Sequence, residues 1–141
     1  MGMRDVLETR IEDWLRDPGS SVEYAEEVEG RWAVRMGQES RDATTVWFTV
    51  GERSLVYEAY VLPLGEGTVG LFRQALHRNM RAWRSFFALD EEGGLVLRGR
   101  IPEDRVTDLE LDLALGEIYE TIEVAFRPLL RSLQANRENS G

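Results

Sequence analysis

The 141-residue chain has no cysteine, no lysine and a single histidine. Without cysteine there is no disulfide, no thiolate nucleophile and no thiolate-ligated metal. Apolar runs are equally scarce. The longest, such as Phe86 to Leu89, fall far short of the roughly 20 residues a membrane helix needs. The opening residues, Met1 to Arg10, carry acids and arginines where a secretory leader needs an apolar stretch. No membrane association is therefore expected, and a cytoplasmic location is. Positive charge is also in short supply, with 17 basic residues, all arginine, against 26 acids and a net charge of −9. That balance argues against general binding to nucleic acid, which needs clustered cations to neutralise phosphate.

What is present reads as one folded domain. Apolar residues make up 43% of the chain and charged residues 30%, the profile of a globular protein with a modest core. Residues 1–135 are expected to form the domain, with 136–141 as a flexible tail. Leu7, Ile11, Trp14 and Leu15 recur at helical spacing from Asp5 to Arg16, and Asp17-Pro18-Gly19 stops that helix. Four alternating runs follow: Val22 onward, Trp32 to Met36, Thr44 to Val50 and Ser54 to Leu62. Short turns such as Glu29-Gly30 and Gly51-Glu52 join them into an antiparallel meander. In the fourth run Leu55, Tyr57, Ala59 and Val61 share one face.

Past Pro63, a second helix is expected from Thr68 to Trp83, with Val69, Phe72, Leu76, Met80 and Trp83 as its apolar stripe. A hairpin of Phe86 to Leu89 and Leu95 to Ile101 comes next. The last helix opens on a capping box, Thr107 with Glu110, and a hydrophobic staple, Val106 with Leu111. Its apolar row is Leu111, Leu115, Ile118, Ile122, Ala125, Leu129 and Leu133. The order α-β-β-β-β-α-β-β-α predicts an α+β fold, a twisted antiparallel sheet flanked by helices.

Three groups could carry chemistry. Gly65-Glu66-Gly67-Thr68-Val69-Gly70 spells a dinucleotide fingerprint, with Asp90 twenty residues on. Pro63 and Leu64, however, separate it from the preceding strand, and Glu66 would repel a pyrophosphate. The neighbouring strands belong to hairpins and not to a βαβ unit. His77 is crowded by Arg73, Arg78 and Arg81, a poor setting for the imidazolium a catalytic triad must stabilise. One histidine among scattered acids has no metal-ligand spacing. No enzyme, cofactor or metal is expected.

The third group is a charge pattern. From Thr68 to Leu89 there is no acid, while Arg73, Arg78, Arg81 and Arg84 are all present. From Glu103 to Glu123 there are eight acids and one arginine. The two helices are expected to be neighbours, or to face each other across a dimer, with their charges paired. A basic face for an acidic partner segment is the second reading, and single-stranded nucleic acid stacked on Trp83 or Trp47 the third. Trp47 and Tyr60 also lie across their strands from Phe48 and Tyr57, so both sheet faces carry apolar groups. A face left uncovered by helices implies a partner or a homodimer.

Several runs resemble YbjN-domain proteins of the actinobacterial type. They are Trp47-Phe48-Thr49-Val50-Gly51-Glu52-Arg53 with Tyr57-Glu58-Ala59-Tyr60, Arg78-Asn79, Gly99-Arg100-Ile101, Leu109-Glu110-Leu111-Asp112 and Phe126-Arg127-Pro128. The resemblance covers about Glu29 to Arg131. It implies a type III secretion chaperone-like fold, often dimeric, with no catalytic residues to carry over. The resulting expectation is a non-enzymatic protein-binding module, chaperone-like or regulatory, with an unknown protein partner. Its contact surface is expected at Trp47, Tyr57, Tyr60, Arg78, Arg81, Trp83 and Arg100. The alternative is a small-ligand or nucleotide sensor using the Gly65–Gly70 loop.

Overall fold

A computed structural model describes residues 1–63 and 69–140, the last five by their backbone alone. Gly65 to Thr68, the heart of the glycine-rich loop, lie outside the described residues, and the expected tail falls on those described by backbone alone or not at all.

Helix α1 (Met3–Arg16) leads into strands β1 (Val22–Val28), β2 (Arg31–Gly37), β3 (Ala43–Val50) and β4 (Ser54–Leu62). Helix α2 (Val69–Asn79), strands β5 (Phe86–Leu89) and β6 (Leu95–Pro102), a single 3-10 turn (Glu103–Arg105) and helix α3 (Asp108–Ser140) complete the chain. The six strands form one antiparallel sheet in the order β1-β2-β3-β4-β6-β5. The α+β expectation holds, and the alternation of side chains sorts the two faces as predicted. Glu29 and Gly30 both adopt positive φ, 52° and 82°, the conformation a two-residue hairpin turn demands.

All three helices cover the same face. Val34, Val46, Phe48, Leu55, Tyr57, Leu97 and Ile101 point towards them and are buried. Trp14 of α1 meets Phe48 at 6.3 Å between ring centroids, and Phe48 meets Tyr57 at 6.0 Å, so three aromatics run through the core. The predicted row of α3, Leu111 through Leu133, is buried throughout.

Two expectations about helices need correction. Helix α2 ends at Asn79, four residues early. The Asn79 amide group bonds both backbone groups of Phe87, accepting from its N–H (2.7 Å) and donating to its carbonyl (3.2 Å). The chain then closes in short i to i+3 turns from His77 to Ala82. Helix α2 is also rotated from the predicted orientation. Leu71 and Ala75 are its buried residues, Phe72 is half-buried, and Val69, Leu76 and Met80 face solvent. Gln74, bonded to Ser132 of α3, and Asn79 fix that rotation through polar contacts. At the start of α3, Thr107 Oγ1 accepts from the Glu110 N–H (3.2 Å). The reciprocal half of the capping box is absent, because Glu110 pairs with Arg84 instead.

Gly99 shows how tight the core is. It sits opposite Tyr57 in the β4–β6 ladder, where a Cβ would overlap the Tyr57 hydroxyl and approach the Arg84 carbonyl oxygen to 2.6 Å. Only an absent side chain lets the Tyr57 ring cross β6 to reach Ser85 and Arg84. Gly99→Ala is expected to destabilise the fold by about 2–3 kcal/mol, the range for overpacking, as read by urea unfolding. A midpoint unchanged from the native protein would refute this account of the glycine.

Candidate functional site

Carboxylates on α3 build the neighbourhood of the site. Glu117 accepts three backbone N–H groups in succession, from Trp83 (2.8 Å), Arg84 (2.9 Å) and Ser85 (2.6 Å). The turn after α2 is thereby tied to α3. Asp112 accepts from Arg10 (2.9 and 2.6 Å) and from Trp14 Nε1 (2.8 Å), fastening α1. Glu123 accepts from the N–H groups of Glu39 (2.9 Å) and Ser40 (3.2 Å) and from the Gln38 amide, holding the connection between β2 and β3. Arg41 completes that corner. Its guanidinium donates to the carbonyls of Tyr60 and Val61, both at 2.7 Å, and lies 5.0 Å over the Phe126 ring. Burial pulls its pKa down from the ordinary arginine value.

Since these acids are engaged elsewhere, the cations of α2 are not neutralised by α3 as expected. Arg84 alone in that segment makes an ion pair, with Glu110 at 2.7 Å. Among the described residues, Arg73, His77, Arg78 and Arg81 take part in none. All four line a groove of about 680 Å³ between α2, the following turn, β5 and α3. Ala82, Phe87 and Val124 supply apolar lining, and Glu117 and Glu120 stand on the opposite wall. Beside the groove run Val69 (68% exposed), Leu76 (66%), Met80 (81%) and Trp83 (84%).

The predicted contact residues fall into three places. Arg78 and Arg81 line the groove, and Trp83, in the turn that follows, lines two other clefts. Trp47, Tyr60 and Arg100 lie on the other face of the sheet, which no helix covers. Trp47 is half-buried there beneath the Arg31 guanidinium, 4.5 Å from its ring centroid. Tyr60 is 48% exposed, its ring leaning over Gly94. Tyr57 belongs to neither surface. It is 1% exposed on the helix side, its hydroxyl 3.2 Å from both the Ser85 hydroxyl and the Arg84 carbonyl. Burial raises its pKa. Alternation along β4 had already placed it with Leu55 and Ala59, so its inclusion in a contact surface is corrected here. Sequence reasoning missed Glu117, Glu123 and Asn79, whose partners are mostly backbone groups that no residue pattern announces. It also missed the exposed Leu76–Met80 face, although it had picked out the stripe itself.

Among the described residues, no group of three His, Asp or Glu is placed to hold a metal. No helix there is long and apolar enough to cross a membrane. The family model of YbjN, described as "Putative bacterial sensory transduction regulator", matches residues 8–131. The chain belongs to the YbjN family. An uncharacterised protein of Mycobacterium leprae is 34% identical over 101 residues, 71% of this chain and 55% of that protein. The chain thus spans about half the length of the curated relatives it matches. Among solved structures, YbjN from E. coli, titled a "putative transcription regulator", superposes with a TM-score of 0.52 at 16% identity, covering 94% of this chain and 93% of that one. A chain of the heterodimeric ExoU–SpcU complex from the type III secretion system of Pseudomonas aeruginosa gives 0.51 at 18% identity, covering 92% and 98%. At these identities the likeness is one of fold, and the type III secretion chaperone-like architecture is the one observed.

The α3 carboxylates give the YbjN-type fold a pH dependence. Burial alone would raise the pKa of Asp112, but the Arg10 and Trp14 hydrogen bonds and the Arg10 charge outweigh it and hold it below the ordinary value. In Glu123, burial is likewise outweighed by the Ser40 and Glu39 amides and the Gln38 side chain. A carboxylate depressed in the folded state stabilises it fully above the unfolded pKa of about 4, and that contribution is lost as pH falls through the lower folded value. Asp112→Asn and Glu123→Gln are each expected to cost about 1 kcal/mol near neutral pH, after allowing for partial exposure. The difference from the native protein should shrink below about pH 4. Urea titrations across that range check both the size and the sign.

Proposed function

We propose that this YbjN-family chain is a non-enzymatic, cytoplasmic protein-binding module, chaperone-like or regulatory, that docks a segment of another protein on the outer face of α2 and its groove. One observation carries the reading. Of the expected α2 stripe only Phe72 packs against the core, while Val69, Leu76 and Met80, with Trp83 in the turn that follows, are exposed. Residues of this kind are ordinarily buried, and several exposed side by side mark an interaction surface. The ExoU–SpcU complex, which shares the fold, is itself a heterodimer, and that supports the reading by analogy.

The homodimer belongs to the open sheet face. There Trp47, Tyr60 and Phe86 offer apolar area, and two neighbouring arginines are matched within the subunit, Arg98 with Glu58 (2.9 Å) and Arg35 with Glu23 (3.9 Å), while Arg31 lies over Trp47. A second copy covering this surface would need to place Arg100 at the rim or against an acid. A symmetric pairing through α2 would instead set Arg73, Arg78 and Arg81 against their own copies, which like-charge repulsion opposes.

Selection of a displayed random-peptide library on the purified chain tests the docking surface. Enriched peptides are expected to lose binding to the Leu76→Glu/Met80→Glu variant, whose exposed substitutions leave stability within about 0.5 kcal/mol. If binders enrich but ignore this variant, or if none enrich, α2 is not the docking face. Light scattering tests the dimer separately. Twice the mass of one chain is expected, falling to a single chain with Tyr60→Glu. A native monomer at micromolar concentration would remove the sheet-face dimer and leave the α2 reading standing.

A further inference from the structure

From the charge around the groove we infer that the segment docked on α2 is acidic and amphipathic, with apolar side chains facing Leu76, Met80 and Trp83 and carboxylates facing Arg73, His77, Arg78 and Arg81. This rests on the protein-binding reading and adds the partner's chemistry to it. Most acids of α3 near the α2 wall have a different task, and Glu120, which lines the groove beside Glu117, makes no ion pair among the described residues. Glu117 holds the backbone of residues 83–85, Asp112 holds α1 and Glu110 holds Arg84. Three arginines and His77 therefore stand beside two carboxylates at a groove in a chain of net charge −9. The molecule as a whole repels an acidic segment, so attraction has to come from a local cluster of arginines such as this one, and that contrast favours encounter there.

Arginine is the suitable cation for this task, because its planar fork takes a carboxylate in bidentate fashion while its stem covers apolar surface. The geometry favours a polypeptide over a small anion. The exposed apolar side chains of Val69 and Leu76 on α2, with Met80 just past its end, form a strip outside the groove's lining. A phosphate or small carboxylate would satisfy the cations and leave that strip wet. A basic segment would bury the strip but set its own charges beside three arginines.

The test uses the full chain and two labelled synthetic peptides with the same leucine and phenylalanine spacing, one with glutamate and one with lysine at its polar positions. Fluorescence anisotropy is expected to show binding of the glutamate peptide, weakening about tenfold or more from low to high salt, and little binding of the lysine peptide. Arg73→Glu/Arg81→Glu should weaken the glutamate peptide at least about tenfold and improve the lysine peptide, a reversal that mere loss of structure cannot produce. Arg73→Gln/Arg81→Gln, which removes charge without adding any, should weaken the first without helping the second. Equal binding of both peptides, or binding of neither, overturns the inference. So does stabilisation by inorganic phosphate or ATP in a thermal melt without peptide binding, which would make the groove a small-anion site. If library peptides depend on Leu76 and Met80 yet carry no excess of acids, the docking reading survives and the acidic partner does not.

Discussion

Carboxylates of α3 stand at the places where the chain changes direction without a tight hairpin. A backbone N–H removed from water must find an acceptor or cost about 1–3 kcal/mol. The turn after α2 presents three in a row, at Trp83, Arg84 and Ser85, and one carboxylate, Glu117, takes all of them. Glu123 does the same for the loop between β2 and β3, and Asp112 for the docking of α1. The helix that supplies the largest apolar row to the core is thus also the one that holds the connections. This has an electrostatic consequence. Glu117, bound to three amides, makes no ion pair with the α2 arginines, and the groove sets three arginines beside Glu117 and Glu120.

The same constraint fixes the orientation of α2. The turn at residues 80–85 is held to α3, and Asn79 is held to the backbone of β5. The helix is therefore tethered at its C-terminal end by polar contacts of defined direction, with Gln74 adding a third to Ser132. Burying the larger stripe would require turning the helix about its axis and breaking all of these. The small side chain of Ala75 lies on the inward face instead. The apolar strip that results is exposed because the polar geometry prevails, and it lies beside the unpaired cations because both follow from the same tether.

How much of this was legible in the sequence depended on whether the signal was a period or a single partner. Alternation in β3 and β4, and the seven-residue row of α3, placed nearly every core side chain, because a sheet face or helix stripe repeats the same information many times. Helix α2 offered two stripes, Leu71-Ala75 and Val69-Leu76-Met80, and the larger was the natural choice. Only contacts between distant residues, Asn79 with Phe87 and Gln74 with Ser132, decide otherwise. Glu117 and Glu123 sit in a run of acids that reads as a solvated face, and their backbone partners lie more than 30 residues away. The charge imbalance between residues 68–89 and 103–123 was plain, but whether it cancelled in space was not. Tyr57 is a different case, since the alternation placed it correctly and only its grouping with Trp47 and Tyr60 went astray.

A positive face on a negative body shapes the kind of contact this chain can make. Coulomb attraction near a protein surface is modest per pair and fades over about 8 Å at physiological salt. The α2 arginines therefore contribute more to the rate and selectivity of encounter than to the lifetime of a complex. Lifetime has to come from burying Leu76, Met80 and Trp83, whose combined apolar area is that of a small interface, not of an obligate one. Contacts of that sort form quickly, sense ionic strength and release readily. They would suit the acidic segment proposed above, and the clamp behind α2 holds the surface in place for it.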